Sequence, residues 1–214
     1  MDILARLDET RQATNVLEHP FYQRWSAGEL TAAELACYAG EYRHAVVALA
    51  EASTLAAGQA DEEHAAGLRR HAQEETAHVA LWEQFADAAG SASVEPMLAE
   101  TAGCVEAWTA GDDLLERLAV LYAIEAGQPE ISSTKLAGLG AHYGYAAEGP
   151  ATEYFTVHEL RDVEHARQAG ALIVELIGRC EDPEARAERM VRRAGAALRG
   201  NWRLLDGVEA RAAR

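Results

Sequence analysis

Residues 154–167 read YFTVHELRDVEHAR, and the spacing inside this stretch points to the fold. His158, Asp162 and His165 stand at i, i+4 and i+7, which places three side chains on a single stripe of an α-helix. Phe155 and Ala169 flank the stripe at helical spacing, so it points inward. Three ionisable groups on an inward face are unfavourable to bury unless something compensates them, and a metal ion does so with charge and directional bonds. A surface charge network is the competing reading of such a pattern taken alone.

Two further segments carry groups of the same kind. In HAQEETAH, residues 71–78, Glu75 and His78 form a Glu-x-x-His pair on one helix face, the arrangement that carboxylate-bridged di-iron sites use in helical bundles. Glu74 and His71 compete with Glu75 there, and a solvated charged face is the bland alternative. In LAVLYAIEAGQPE, residues 118–130, Glu125 is one carboxylate among apolar neighbours on a core-like helix. A buried glutamate needs a partner, either an arginine or a cation. Together Glu75, His78, Glu125, His158, Asp162 and His165 offer three carboxylates and three imidazoles from three helices. That balance suits two iron or manganese ions with open positions for dioxygen; the cofactors expected are two iron ions, or iron plus manganese, with dioxygen as co-substrate and an external reductant.

The rest of the chain reads as helix throughout. Its 214 residues are 49% hydrophobic with Pro limited to 5, and no stretch alternates at the period of a strand. The expectation is an all-α, seven- to eight-helix bundle forming one domain over residues 1–214. Helices are expected over about 2–18, 31–57 (opened by a Thr31/Glu34 capping box and ended by Gly58), 60–89, 94–110, 113–127 (with Asp112 as N-cap and a break at Pro129), a continuation to Tyr143, 151–178, and from Pro183 to about 206. A bend and short helix fall around His19, Pro20, Phe21, Tyr22 and Trp25, and the tail after Asp206 is expected to fray.

A formal net charge of −16 argues against a nucleic-acid partner, because neutralising phosphates takes a clustered basic surface. Cys37, Cys104 and Cys180 are scattered without metal-ligand spacing and are odd in number, which fits a reducing cytoplasm better than a disulfide framework. No apolar run approaches a signal peptide or a membrane span. Apolar helix faces make a homodimer plausible, no more, and the sequence does not say whether the chain dimerises. Of the 19 basic residues 18 are arginine, so Lys135 is the sole lysine. Arginine can replace a surface lysine at little cost, but its guanidinium stays protonated and cannot serve as an amine nucleophile.

Four blocks resemble one known family, the haem-oxygenase-like di-iron oxidases, and within it the branch named for the chlamydial protein associating with death domains. They are LEHPFYQRWSAGELTAAELACYAGEY (17–42), HVALWEQFADAAG (78–90), LYAIEAGQPEISSTKLAGLGAHYG (121–144) and EYFTVHELRDVEHAR (153–167), and the likeness runs from about Leu17 to Ile177. The resemblance implies a fold shared with the thiaminase-type (TenA) and pyrroloquinoline-quinone-forming (PqqC) proteins, and it assigns His78, Glu125, His158, Asp162 and His165 to metal binding. The family has more residues between its first Glu and the His matching His78, which leaves Glu75, Glu74 and His71 open for the sixth ligand.

That branch is associated with folate supply and resembles enzymes that make p-aminobenzoate from a tyrosine of their own chain, with a lysine as nitrogen donor. The matching residues are Tyr22 and Lys135. Tyr42 and Tyr122 are secondary catalytic candidates as relays or pocket walls, and Ile124 stands where relatives often carry another tyrosine. An oxygenase of the same fold acting on a diffusible small molecule, a metal-free enzyme of the TenA or PqqC type, and a non-catalytic helical interaction protein are the rival readings.

Overall fold

Several helix starts in this chain are set by side chains that accept from the first free backbone N–H groups. The computed structural model describes residues 2–91 and 97–212. Asp2 caps α1 (Ile3–Gln12), Asn15 caps a 3-10 turn (Val16–Glu18), and His19 caps α2 (Pro20–Ala27) by accepting from the Phe21 N–H at 3.0 Å. The single helix expected over 2–18 is therefore interrupted: Asn15 offers Leu17 N–H a side-chain acceptor at 3.1 Å in place of a helical carbonyl.

The Thr31/Glu34 capping box opens α3 (Ala32–Gln59) as expected. Helix α4 (Ala65–Ala88) starts later than the sequence suggests, because Asp61 holds the His64 N–H and ring in a turn. Helix α5 covers Ala99–Thr109, and the expected start at 94 lies outside the described residues. Helix α6 (Leu114–Glu125) is capped by Asp113 rather than Asp112, since it is Asp113 that stands three residues before the Glu116 N–H it accepts from. Pro129 sits in the first turn of α7 (Gln128–His142), where its missing N–H is not needed.

Pro150 likewise opens α8 (Pro150–Ile177), and Pro183 opens α9 (Pro183–Ala212). Helix α9 continues past Asp206 where fraying was expected. Val208 is buried, and Glu209 and Arg211 form ion pairs with Arg24 (3.2 Å) and Glu41 (3.1 Å) that hold the last turns.

No strand occurs among the described residues, and no helix among them is long and apolar enough to cross a membrane. Helix α8 packs against α4, α6 and α7, which brings the chemistry-bearing segments of the sequence to one place. Close approach matters between α2 and α7. A Cβ on Gly138 would lie 2.5 Å from the Trp25 ring, and the small residue lets Trp25 Nε1 donate to the Lys135 carbonyl at 3.2 Å.

Candidate metal centre

Glu75 lies at the middle of the cluster. Its Oε1 is 3.1 Å from His78 Nδ1, 3.6 Å from His165 Nδ1 and 3.9 Å from His71 Nε2, and its Oε2 is 3.9 Å from His158 Nε2. Two groups, His71/Glu75/His165 and Glu75/His78/His158, each present ligand atoms within 4.8 Å of one another, and Glu75 belongs to both. Asp162 Oδ1 stands 3.5 Å from His165 Nδ1, and Glu125 Oε1 2.8 Å from His71 Nε2. All seven residues are buried, Glu125 completely.

Nine buried polar atoms of these seven residues have no hydrogen-bond partner: His71 Nε2, Glu75 Oε1, His78 Nδ1, both oxygens of Glu125, His158 Nε2, both oxygens of Asp162, and His165 Nδ1. Leaving a buried polar atom unpaired costs about 1–3 kcal/mol, so such a concentration calls for a shared partner. A cation with nitrogen and oxygen ligands meets that description, and the donor set fits iron or manganese.

The outer contacts support the same assignment. His158 Nδ1–H donates to the Tyr154 carbonyl at 2.7 Å, which leaves the Nε2 lone pair facing the cluster. His165 Nε2–H donates to Glu74 Oε2 at 2.9 Å and leaves Nδ1 facing inward. Glu74 thus sits outside the cluster and Glu75 within it.

The charges balance locally. Burial opposes ionisation of Glu75, but His158 and His78 outweigh it and hold the carboxyl well below the usual range. Burial also opposes protonation of His165, yet Asp162, Glu125 and Glu74 raise its pKa to about 9. Burial pushes Glu125 and Asp162 up, against the pull of their histidine neighbours.

Lys135 lies in a different setting. It is 1% exposed, and its Nζ stands 4.8 to 5.8 Å from the ring centres of Tyr22, Tyr38, Tyr42, Trp82 and Phe155. Among the described residues no carboxylate forms an ion pair with it, and burial alone brings its pKa down to about 7. The Tyr22 and Tyr38 hydroxyls are 3.0 Å apart, and burial raises both phenols well above their usual value. Trp82 joins this cage to the donor cluster: its ring is 4.8 Å from Tyr154, which stacks on His158 at 3.9 Å.

Tyr22, Tyr42 and Lys135 are therefore brought together, while Tyr122 is placed apart, its hydroxyl donating to Asp8 on α1 at 3.1 Å. Sequence reasoning passed over Tyr38 and Tyr154. Each had a signal, since Tyr38 is one turn before Tyr42 and Tyr154 one turn before His158.

The family described as "Iron-containing redox enzyme", of haem-oxygenase type, matches residues 37–202. A 4-aminobenzoate synthase of Chlamydia muridarum is 34% identical over 203 residues, covering 89% of this chain and 86% of that protein. A 4-aminobenzoate synthase of Nitrosomonas europaea is 31% identical over 228 residues, covering 95% of this chain and 89% of that protein. A crystal structure from Shewanella denitrificans, described as a domain of unknown function with a heme oxygenase-like fold, superposes with a TM-score of 0.77 at 18% identity. It covers 99% of this chain and 90% of its own.

Proposed function

This chain belongs to the haem-oxygenase-like family of iron-containing redox enzymes, and from that premise we propose that it forms 4-aminobenzoate from its own Tyr22, with Lys135 as nitrogen donor. The observation that carries the proposal is the burial of the only lysine against the Tyr22 ring, beside a cluster suited to redox metals. The names of the relatives supply the product.

Two iron ions, or iron with manganese, held by Glu75, His78, Glu125, His158, Asp162 and His165 would supply the redox chemistry, with dioxygen as co-substrate and electrons from an external reductant. The remaining work falls to the chain. In 4-aminobenzoate the amine is para to the carboxylate carbon, as the Tyr22 hydroxyl is para to Cβ. Conversion thus means forming a bond from Lys135 Nζ to the ring carbon that carries the hydroxyl, whose oxygen leaves as water. Nζ–Cε breaks with Cε oxidised to an aldehyde, and Cα–Cβ breaks with Cβ raised to a carboxylate, dioxygen being the oxidant for both cleavages.

A nucleophilic amine needs a free lone pair, and burial lowers the Lys135 pKa to about 7, so about half the population carries one at neutral pH. The Tyr38 hydroxyl orients that of Tyr22. The aromatic walls keep water, a competing nucleophile, away from the ring carbons.

The substrate being part of the protein, each chain turns over once. Iron loaded without oxygen, followed by oxygen and a reductant, should yield no more than one 4-aminobenzoate per chain and a mass loss in the peptide containing Tyr22. Tyr22→Phe should make none while keeping its metal. Product from Tyr22→Phe would exclude Tyr22 as the source.

One observation favours a second reading, oxidation of a diffusible molecule. A cavity of about 360 Å³ between α4 and α8 is lined by His64, Leu68, His71, His165 and Leu172, large enough for a small substrate next to the cluster. Product in excess over chains would support it.

A further inference from the structure

Helices α4 and α8 carry the same motif. His71-x3-Glu75-x2-His78 on α4 repeats the spacing of His158-x3-Asp162-x2-His165 on α8, so each helix presents imidazole, carboxylate and imidazole at i, i+4 and i+7. The two stripes face each other in opposite directions: the His71 ring is 4.3 Å from that of His165, and the His78 ring 4.5 Å from that of His158. The pairing makes His71 the counterpart of His158, Glu75 of Asp162, and His78 of His165.

The six-residue set proposed above leaves His71 out, yet its Nε2 is buried and without a hydrogen bond. That nitrogen makes an ion-pair contact of 2.8 Å with Glu125 Oε1, but neither atom has a well-directed hydrogen bond. A histidine that served only to orient Glu125 would aim an N–H along that line. Two donor atoms at this separation, each unsatisfied, are placed to share a third.

We propose that His71 is a direct ligand of the cation held by Glu75, Glu125 and His165. The centre is then a seven-donor site with two imidazoles on each side of Glu75, taking divalent first-row transition ions. This deepens the metal-centre reading and rests on it. Because His71 and His165 also line the cavity of about 360 Å³ between α4 and α8, the ion they hold is the one reached from solvent on that side.

Manganese(II) is the probe, since it binds such ligands without reacting with oxygen. Anaerobic titration followed by spin resonance should give two equivalents bound to the unmodified chain. His71→Ala should retain one, with affinity for the other weakened at least 100-fold, as His158→Ala should on the opposite side. Exogenous imidazole should restore the lost equivalent in His71→Gly through the cavity.

Two equivalents of unchanged affinity in His71→Ala would overturn the proposal. No binding by the unmodified chain would instead sink the metal-centre reading beneath it. Should the variants fail to fold, anomalous scattering from manganese-soaked crystals of the unmodified chain decides: a peak within bonding distance of His71 Nε2 supports the proposal, and its absence there refutes it.

Discussion

The donor cluster and the lysine cage lie in one core, joined by Trp82 and Tyr154, and they answer burial in opposite ways. In the cluster, carboxylates and imidazoles from α4, α6 and α8 meet, and the histidines keep Glu75 ionised despite its burial, while Glu125 and Asp162 are offset only in part. In the cage a single amine meets only aromatic faces, and desolvation is answered by loss of the proton. Equal burial therefore yields an ion-paired donor cluster where opposite charges converge and an amine that sheds its proton readily where a charge stands alone.

The comparison can be broken most decisively at Glu75, which both metal-sized groups share. Glu75→Ala should retain no metal, and added manganese should leave its melting temperature unchanged while raising that of the unmodified chain. Retention of two ions, measured by elemental analysis, would show that the two groups do not share this carboxylate.

Lys135 tests the other side. Lys135→Arg and Lys135→Met should both abolish product, but they should diverge in stability. The guanidinium cannot shed its proton, so Lys135→Arg should unfold more easily by about 3 kcal/mol or more. Lys135→Met should be more stable than the parent by about 4 kcal/mol at pH 7.

The sign follows from the folded pKa of about 7 lying below the ordinary 10.5. The lysine destabilises the fold fully below pH 7, progressively less up to 10.5, and not at all above. Denaturant titrations across that range should show the advantage of Lys135→Met shrinking as pH rises. An advantage independent of pH would mean that the amine keeps its charge.

Glu74→Gln probes the outer contact to His165. Losing the carboxylate that fixes the ring should weaken metal binding by about 10–100-fold without abolishing it. Titration with manganese distinguishes this from the full loss expected at Glu75.

The smallest effect expected is on pH. With a neutral amine required, single-turnover product formation should rise about tenfold from pH 6 to pH 8, with a midpoint near 7, at constant metal content. A flat profile would remove Lys135 deprotonation from the rate.

Much of the site was legible because helical spacing is a local property. His158, Asp162 and His165 were readable as one stripe from their intervals alone, and Glu75 with His78 likewise. Glu74, Glu75 and His71 could not be ranked from sequence, since adjacent residues point about 100° apart and only the position of α8 says which direction is inward. Helix ends were legible where a cap was unambiguous, as at Thr31. They slipped where two acceptors competed, as at Asp112 and Asp113, or where Asn15 interrupted a run of good helix formers.

By itself, then, the sequence determined the helical class, the donor stripes and the singularity of Lys135, because periodicity and composition are properties of the chain before it folds. Only the tertiary structure decided that His71 faces the cluster, that Glu74 stands behind His165, that Tyr122 turns to Asp8, and that the lysine is enclosed with Tyr22 and Tyr38. Those outcomes depend on which helix faces are pressed together, and long-range packing of α8 on α4, α6 and α7 sets that.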